Sequence, residues 1–312
     1  KNSFNMQMGG VLQNPSRANY IWPGRKSTEY DRRLIEIACG PNSWLSTATD
    51  KSYHCDCVRF TVEDDLYTSD TIDRIVKAIV AAKVMVWIAL PCTGGTSFIG
   101  MNRKRYPHNA AKYDAYIPQF LHMLNQVDIA LTRACDSRAN MAKLNSSSIG
   151  LINNNAYYNS TNSNVRFAPL IIFECPGKNA YWRYPQVKAF MVKWGLTKGT
   201  MHGCQYNLIG QHGKAKGKIL TKEWDFGCNS DSVRDYISTV CDHGEKHAVV
   251  EGSDTVDTGN YTLELANRVH DAFNAVSLEK GKPIVNRVAP VSRTNAGAIM
   301  SSQRNVAPSR RY

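Results

Sequence analysis

The chain has 312 residues, of which 43% are hydrophobic, and this suits one large domain or two small ones with a buried core. It contains no run of about 18 apolar residues, so we expect no transmembrane helix and no membrane contact. The nine cysteines are odd in number and scattered, which argues against a disulfide framework and predicts an intracellular, reducing compartment such as the nucleus, the cytoplasm or a virus particle.

The net charge of +12 is concentrated at the two ends of the chain. Residues 1–33 carry +4 and residues 280–312 carry +7, whereas the central residues 34–279 carry only +1. We therefore predict a basic N-terminal arm, a near-neutral domain and a basic tail that includes Arg310 and Arg311. Basic ends favour binding to the phosphates of DNA or RNA, and solvated tails kept soluble by charge are an equally weighted alternative.

Short apolar runs alternate with segments of helical periodicity along the central part. The predicted strands are 34–39, 57–61, 84–90 and 167–174. The predicted helices are 68–83, 113–133, 185–194 and 261–275. Residues 145–164, rich in Asn, Ser and Tyr, are predicted to be a flexible insertion, and residues 203–227 a hairpin-like region. The alternation predicts an α/β, Rossmann-like fold: a mostly parallel sheet flanked by helices, with irregular basic termini.

Three distinctive segments, 40–43, 91–95 and 174–177, each follow a predicted strand. Because ligands bind at the carboxyl ends of the strands in open parallel sheets, we expect these segments to converge on one site.

The first of these segments has an acid four residues before a glycine turn, Glu36 and Gly40, followed by Asn42. A glycine lets the backbone turn sharply beside a ligand, and Asn tolerates positive φ better than most other residues. This pattern resembles the first motif of S-adenosylmethionine-dependent methyltransferases, although a strand followed by a glycine turn is also common in other proteins.

The second and third segments carry Pro91-Cys92 and Glu174. A thiol on a loop at the tip of a strand can act as a nucleophile, and a strand-end acid can protonate a reacting group. Together with Gly259-Asn260 before the last helix, these residues resemble, in the expected order, the motifs of cytosine-C5 methyltransferases. The open alternatives are a buried structural cysteine and an acid that caps a loop.

The resemblance implies methyl transfer to cytosine in DNA or RNA, with S-adenosylmethionine as the cofactor. Cys92 would be the catalytic nucleophile that adds to C6 of cytosine, and Glu174 would contact N3 and stabilise the developing charge. An acid about 20 residues after the turn would bind the ribose of the cofactor. The implied cofactor-binding residues are Glu36, Gly40, Asn42, Glu63, Asp64, Asp65 and Asn260.

A catalytically lapsed methyltransferase fold is the alternative function. Such a protein would bind nucleic acid or take part in assembly, for example in a virus or mobile element, through its basic ends. Thr93 and Cys175 occupy positions where the methyltransferase motifs have Gln and Asn, and the arginine-rich base-recognition motif is not evident. These differences favour the lapsed form, whereas the presence of Cys92 and Glu174 favours the enzyme.

Two clusters lie outside these motifs. Lys214, Lys216 and Lys218 are predicted to form a nucleic-acid-binding turn. Near the end of the domain, Cys241, His243 and His247, with Cys204 and Cys228 upstream, could supply zinc ligands. Their spacing fits no strong zinc pattern, so the sequence alone predicts no metal site, with zinc as the minor alternative.

The charge distribution makes the tail testable. Removing residues 280–312 should leave the domain folded, because the segment has little periodic apolar pattern. It should weaken binding to an oligonucleotide and reduce the slope of log affinity against log salt, because up to seven positive charges are lost. Fluorescence anisotropy over a salt series measures both quantities, and an unchanged slope would show that the tail is not a binding arm.

Overall fold

The structure is a computed structural model, and it describes residues 32–47, 54–61, 63–80, 83–146, 168–244 and 246–278. Nearly all of the predicted basic arm, most of the predicted insertion and the whole basic tail, including Arg310 and Arg311, lie outside the described residues.

The described residues form eight strands in two sheets. The strands are β1 (Arg32–Cys39), β2 (Cys55–Thr61), β3 (Val84–Ile88), β4 (Leu170–Pro176), β5 (Thr197–His202), β6 (Leu220–Thr221), β7 (Glu223–Cys228) and β8 (Ala248–Val249). The main sheet has six strands in the order β2-β1-β3-β4-β7-β5, and β6 pairs with β8 in a small parallel sheet.

Within the same part of the chain, seven α-helices accompany the strands. They are α1 (Ser69–Val80), α2 (Ser97–Arg105), α3 (Ala110–Ser146), α4 (Pro185–Lys193), α5 (Asp231–Ile237), α6 (Asp254–Asp257) and α7 (Leu263–Leu278). None of these helices combines the length and the apolar character that a membrane crossing requires.

The main sheet is mixed. Strands β2, β1, β3 and β4 are parallel, as expected, but β7 runs antiparallel between β4 and β5. The prediction missed β5 because this edge strand, Thr-Lys-Gly-Thr-Met-His, has only Met201 fully buried and so carries almost no apolar signal. The chain therefore has an α/β fold whose main sheet is mixed, with mostly parallel strands, and is flanked by helices.

Helices cover both faces of the main sheet. Apolar side chains of α1, α3 and α4 pack on one face, and those of α5 and α7 pack on the other. The central strand β3 is buried at all five residues, which explains its continuously apolar sequence. Helix α1 buries Ile72, Ile75 and Ile79 at helical spacing, and Thr68 Oγ1 accepts a hydrogen bond from the Thr71 amide at its start (3.3 Å).

Several element boundaries differ from the sequence prediction by a few residues, and two of the differences cross a predicted domain boundary. Strand β1 begins at Arg32, inside the predicted arm, because Arg33 forms an ion pair with Asp56 of β2 (2.7 Å) and the strand pairing continues to that point. Helix α3 has 37 residues and is about 55 Å long, so it extends well past residue 133 and includes the first two residues of the predicted insertion.

The packing of α3 on the sheet can be tested with Phe120→Ala. Phe120 is fully buried and its ring stacks on Tyr181 with centroids 3.8 Å apart. Truncation should lower the free energy of unfolding by about 3–5 kcal/mol, measured by urea denaturation, because a large cavity replaces the ring. The control Ile129→Ala, on the exposed side of the same helix, should cost less than about 1 kcal/mol. Equal losses for the two variants would contradict this packing.

Candidate active site at the carboxyl edge of the sheet

The carboxyl ends of β1, β3 and β4 lie next to one another, and they carry Gly40, Cys92 and Glu174 respectively. The chain passes from β1 to β2 on one side and later to β3 on the other side, so the strand order reverses between β1 and β3. Such a switch point leaves a crevice outside the strand ends where doubly wound α/β proteins bind ligands. The predicted convergence of these three residues on one edge of the sheet is confirmed.

The turn after β1 is built around a buried carboxylate. Glu36 is fully buried and accepts hydrogen bonds from Ser43 Oγ (2.6 Å) and Ser46 Oγ. Burial raises the pKa of its carboxyl, and the two hydroxyls and the charge of Arg59 partly oppose that rise. Arg59 of β2 also donates to the carbonyls of Gly40 and Pro41 (2.7 Å each), which fixes the path of the turn.

A cavity of about 390 Å³ lies beside this turn. Asn42, Trp44, Asp254 and Asn260 are among the residues that line it. Gly40 approaches Asn260 so closely that a Cβ at this position would lie 2.7 Å from Oδ1 of Asn260. Asn260 and the glycine turn therefore form one wall, and the cavity has the size of a small-molecule site.

The loop that carries Cys92 is fixed by Asn179. The Asn179 side chain donates to the carbonyl of Cys92 (2.9 Å) and accepts from the amide of Tyr181 (2.9 Å). A Cβ at Gly95 would lie 1.7 Å from Oδ1 of Asn179, so only glycine fits there. The loops after β3 and β4 are thereby held together.

Glu174 is buried at the end of a chain of hydrogen bonds. The indole nitrogen of Trp87 donates to the hydroxyl of Tyr261 (2.9 Å), which donates to Oε2 of Glu174 (2.8 Å). Oε1 of Glu174 is buried and has no hydrogen-bond partner within the described part of the chain. Tyr261 is itself buried and adopts a left-handed backbone conformation (φ 61°, ψ −167°). A buried oxygen without a partner requires an explanation, and a bound ligand would provide one.

The electrostatics of the edge favour neutral side chains. Burial raises the pKa of the Glu174 carboxyl to about 7, despite the opposing effects of the Tyr261 hydrogen bond and the nearby charge of Lys222. Burial also raises the pKa of the Cys92 thiol to about 11, with a further rise from the Glu174 charge, while Lys222 lowers it. At neutral pH Glu174 can therefore donate a proton, and Cys92 is a thiol rather than a thiolate.

Cys92 and Glu174 contact different sides of the sheet. Glu174 is bonded to Tyr261 on the face covered by α5 and α7, whereas Cys92 packs against the apolar cluster of the face covered by α1, α3 and α4. Both lie at the same edge, so a substrate would have to enter between the strand ends to reach the two groups.

The three candidate ribose-binding acids lie after β2. The Asp64 carboxylate accepts from the Thr61 amide (2.8 Å) and pairs with Arg74 (2.8 Å). Asp65 accepts from the Tyr67 amide (2.9 Å), and Glu63 is exposed. These contacts give Asp64 and Asp65 local structural roles, and none of the three acids lines the cavity.

The remaining predicted residues lie elsewhere. Lys214, Lys216 and Lys218 are exposed on a turn, and neighbouring residues Ile209 and Gln211 line the cavity. Cys241, His243 and His247 lie together beside Cys204, at the end of β5, whereas Cys228 is buried in β7 and is outside this group.

Four residues of the edge were not identified from the sequence: Arg59, Asn179, Lys222 and Tyr261. Tyr261 directly follows Gly259-Asn260, so its position was the one usable signal. The other three reach the edge only because the sheet brings distant strands together.

No family model, curated protein or solved structure matches the chain. The geometry of the edge is therefore the basis for assigning a function.

The raised pKa of Glu174 has a consequence for stability. Between the ordinary pKa of 4.5 and the folded value of about 7, the folded chain binds a proton at this carboxyl that the unfolded chain lacks. The contribution of Glu174 to the free energy of unfolding therefore falls as the pH rises from 4.5 to about 7. Glu174→Gln cannot titrate, so its free energy of unfolding should rise relative to that of the native chain by about 3 kcal/mol between pH 4.5 and pH 8.

Urea denaturation at a series of pH values measures this difference. Glu264→Gln, which replaces a carboxyl on the exposed side of α7 by the same amide, is the matched control for the chemical change itself. A difference for Glu174→Gln that stays constant with pH would mean that burial does not raise the pKa of Glu174 in the folded chain.

Proposed function

We propose that the chain is an S-adenosylmethionine-dependent methyltransferase that acts on cytosine in DNA or RNA. The observation that carries the proposal is the state of Glu174. Its buried carboxyl has a pKa of about 7 and one oxygen without a partner in the described part of the chain. Glu174 lies on β4, next to β3, the strand that precedes Cys92. A group of this kind can share a proton with a ring nitrogen of a bound base.

Two residues would act on the base. Cys92 gives its thiol proton to water and its Sγ attacks C6 of cytosine; the carbon–sulfur bond forms as the C5–C6 double bond breaks, and the proton that Glu174 gives to N3 takes up the displaced electron pair. C5 then has the electron density to accept a methyl group. Transfer of the C5 proton to water re-forms the C5–C6 double bond and expels the Cys92 thiolate, which takes a proton back from water, while N3 returns its proton to Glu174.

The cofactor, when bound, supplies the methyl group. The residues beside the glycine turn fit it: the cavity has a suitable volume, Trp44 is 44% exposed and offers an aromatic face, and Asn42 and Asn260 offer amide groups. Glu36 acts indirectly, because both of its oxygens are bonded to serines of the turn.

The sheet supports a Rossmann-like assignment for the parallel part. The order β2-β1-β3-β4 has its reversal between β1 and β3, and the glycine turn and the Cys92 loop flank that point. A cofactor and a base placed on either side of the switch point would meet there.

A nucleic-acid substrate is favoured by the position of the lysine turn. Lys214, Lys216 and Lys218 are exposed next to residues that line the cavity, so phosphates bound there would bring a strand to the edge of the sheet. Lys222 adds a positive charge near both Cys92 and Glu174.

Two observations favour the second candidate, a lapsed methyltransferase fold that only binds nucleic acid. The pKa of the Cys92 thiol is raised to about 11, and its side chain packs against the apolar cluster on the face opposite to that of Glu174. A reactive cysteine normally has a lowered pKa. The two candidates differ in whether a covalent bond to cytosine forms.

Covalent trapping separates them. An oligonucleotide with 5-fluorocytosine should form a stable adduct with the native chain in the presence of S-adenosylmethionine, because fluorine at C5 blocks the final elimination. Cys92→Ser should abolish the adduct and lower methyl transfer by at least about three orders of magnitude, while cofactor affinity by calorimetry stays within a few fold. Adduct formation is measured by gel shift under denaturing conditions and by mass spectrometry.

Cys135→Ser is the matched control, since Cys135 lies about 28 Å along α3 from Tyr116, a residue that contacts the Cys92 loop. It should form the adduct normally. Failure of the native chain to bind S-adenosylmethionine would refute the enzyme, and cofactor binding without any adduct would support the lapsed fold. Normal methylation by Cys92→Ser would move the methyl acceptor away from cytosine C5.

A further inference from the structure

Four potential metal ligands meet at the end of β5. The ligand atoms of Cys204, Cys241, His243 and His247 all lie within 4.8 Å of one another. Cys241 Sγ is 3.6 Å from Nδ1 of His243 and 3.4 Å from Nε2 of His247, and the two imidazole rings are 5.1 Å apart. Two thiols and two imidazoles thus surround a common centre.

The distances match those of a tetrahedral zinc site. With zinc–sulfur bonds of about 2.3 Å and zinc–nitrogen bonds of about 2.0 Å, tetrahedral geometry places sulfur and nitrogen about 3.5 Å apart. The two distances from Cys241 bracket this value. An ion could therefore be accommodated with small side-chain movements.

Backbone and side-chain contacts hold the two ligand-bearing segments together. Cys204 lies on the 3₁₀ turn Gly203–Tyr206, directly after β5, and the other three ligands follow α5. The amide of Cys241 donates to Nδ1 of His202 (3.2 Å), and Gln205 donates to Asp242 (2.5 Å). The segments are thus joined without the ion, and the ligands are already in place for it.

We propose that Cys204, Cys241, His243 and His247 bind one structural zinc ion. Two sulfur and two nitrogen ligands suit zinc rather than magnesium or calcium, which prefer oxygen. Four protein ligands close the tetrahedron, so the ion has a structural role rather than a catalytic one. The sequence indicated zinc only as a minor alternative, with Cys204 and Cys228 both as upstream candidates, because Cys204 lies 37 residues before Cys241 and no spacing distinguishes the two cysteines.

Zinc at this position would brace the edge that carries the candidate active site. It would link the end of β5 to the segment that leads into β8, which pairs with β6. The amide of Gly203, beside Cys204, donates to the carbonyl of Lys222 (2.8 Å), and Lys222 lies near Glu174. The proposal concerns this ligand set alone and does not depend on methyl transfer.

Metal binding is tested first on the full native chain. Chain purified without chelator should contain one zinc per molecule by mass spectrometry of the metal. After chelation, titration with Co²⁺ should saturate at one equivalent with the intense visible bands of tetrahedral cobalt and a near-ultraviolet thiolate-to-cobalt band, and Zn²⁺ should displace it. Failure to take up either ion, a weak octahedral spectrum, or a disulfide between Cys204 and Cys241 under reducing conditions would overturn the proposal.

Variants then assign the ligands. Cys241→Ser and His247→Ala should each weaken Zn²⁺ affinity by about a hundredfold or more. Cys135→Ser should leave it unchanged, as should His212→Ala, which alters a separate cluster formed by exposed His212 and Asp257 with buried Asp254. Chelation should lower the melting temperature of the native chain but not that of Cys241→Ser. If the ligand variants fail to fold, the cobalt spectrum of the native chain by itself shows whether a tetrahedral site with thiolate ligands is present. Tetrahedral binding that survives Cys241→Ser, or that is lost in His212→Ala, would contradict the assignment.

Discussion

Two carboxyl groups are buried on one face of the main sheet. They determine how the side chains at the C-terminal ends of its parallel strands are arranged. Glu36 and Glu174 point to the side covered by α7; burial raises the pKa of both carboxyls, and the charge of Glu36 raises that of Glu174 further. Serines bond to both oxygens of Glu36, whereas among the described residues only Tyr261, itself held by Trp87, bonds to Glu174, and it reaches one oxygen. The turn after β1, the start of α7 and the indole of Trp87 on β3 must therefore all be placed correctly for the edge to be stable.

The sequence predicted the parallel half of the fold well, because buried central strands and amphipathic helices leave strong periodic signals. β3 and α1 are examples. The prediction was wrong at the edge of the sheet formed by β5 and β7. β5 is mostly exposed and polar, and β7, directly beside it, was predicted only as part of a hairpin-like region. The antiparallel position of β7 depends on tertiary pairing with β4, which no local pattern encodes.

The candidate site could be predicted where residues lie at or near the carboxyl end of a strand: Gly40 follows β1, Glu174 lies near the end of β4, and Cys92 lies on the loop after β3. The acids after β2 could not be assigned, since a local turn and an ion pair use Asp64 in a way that its sequence position does not reveal. The cluster at the end of β5 was visible only in part, because Cys204 comes from a separate segment. A site whose residues come from distant segments can be recognised only when the fold is known.

The backbone at Tyr261 constrains how this chain can vary. Its φ and ψ fall in a region that glycine occupies almost alone, at a cost of about 1–3 kcal/mol for any other residue. Glycine would relieve that strain but leave an empty space next to Trp87 and Trp224, and phenylalanine would keep the ring but remove the partner of both Trp87 and Glu174. Each of these two replacements gains or keeps one property and loses another: glycine relieves the backbone strain but loses the packing, and phenylalanine keeps the packing but loses the hydrogen bonds. Tyr261 is therefore retained despite the strain of its backbone.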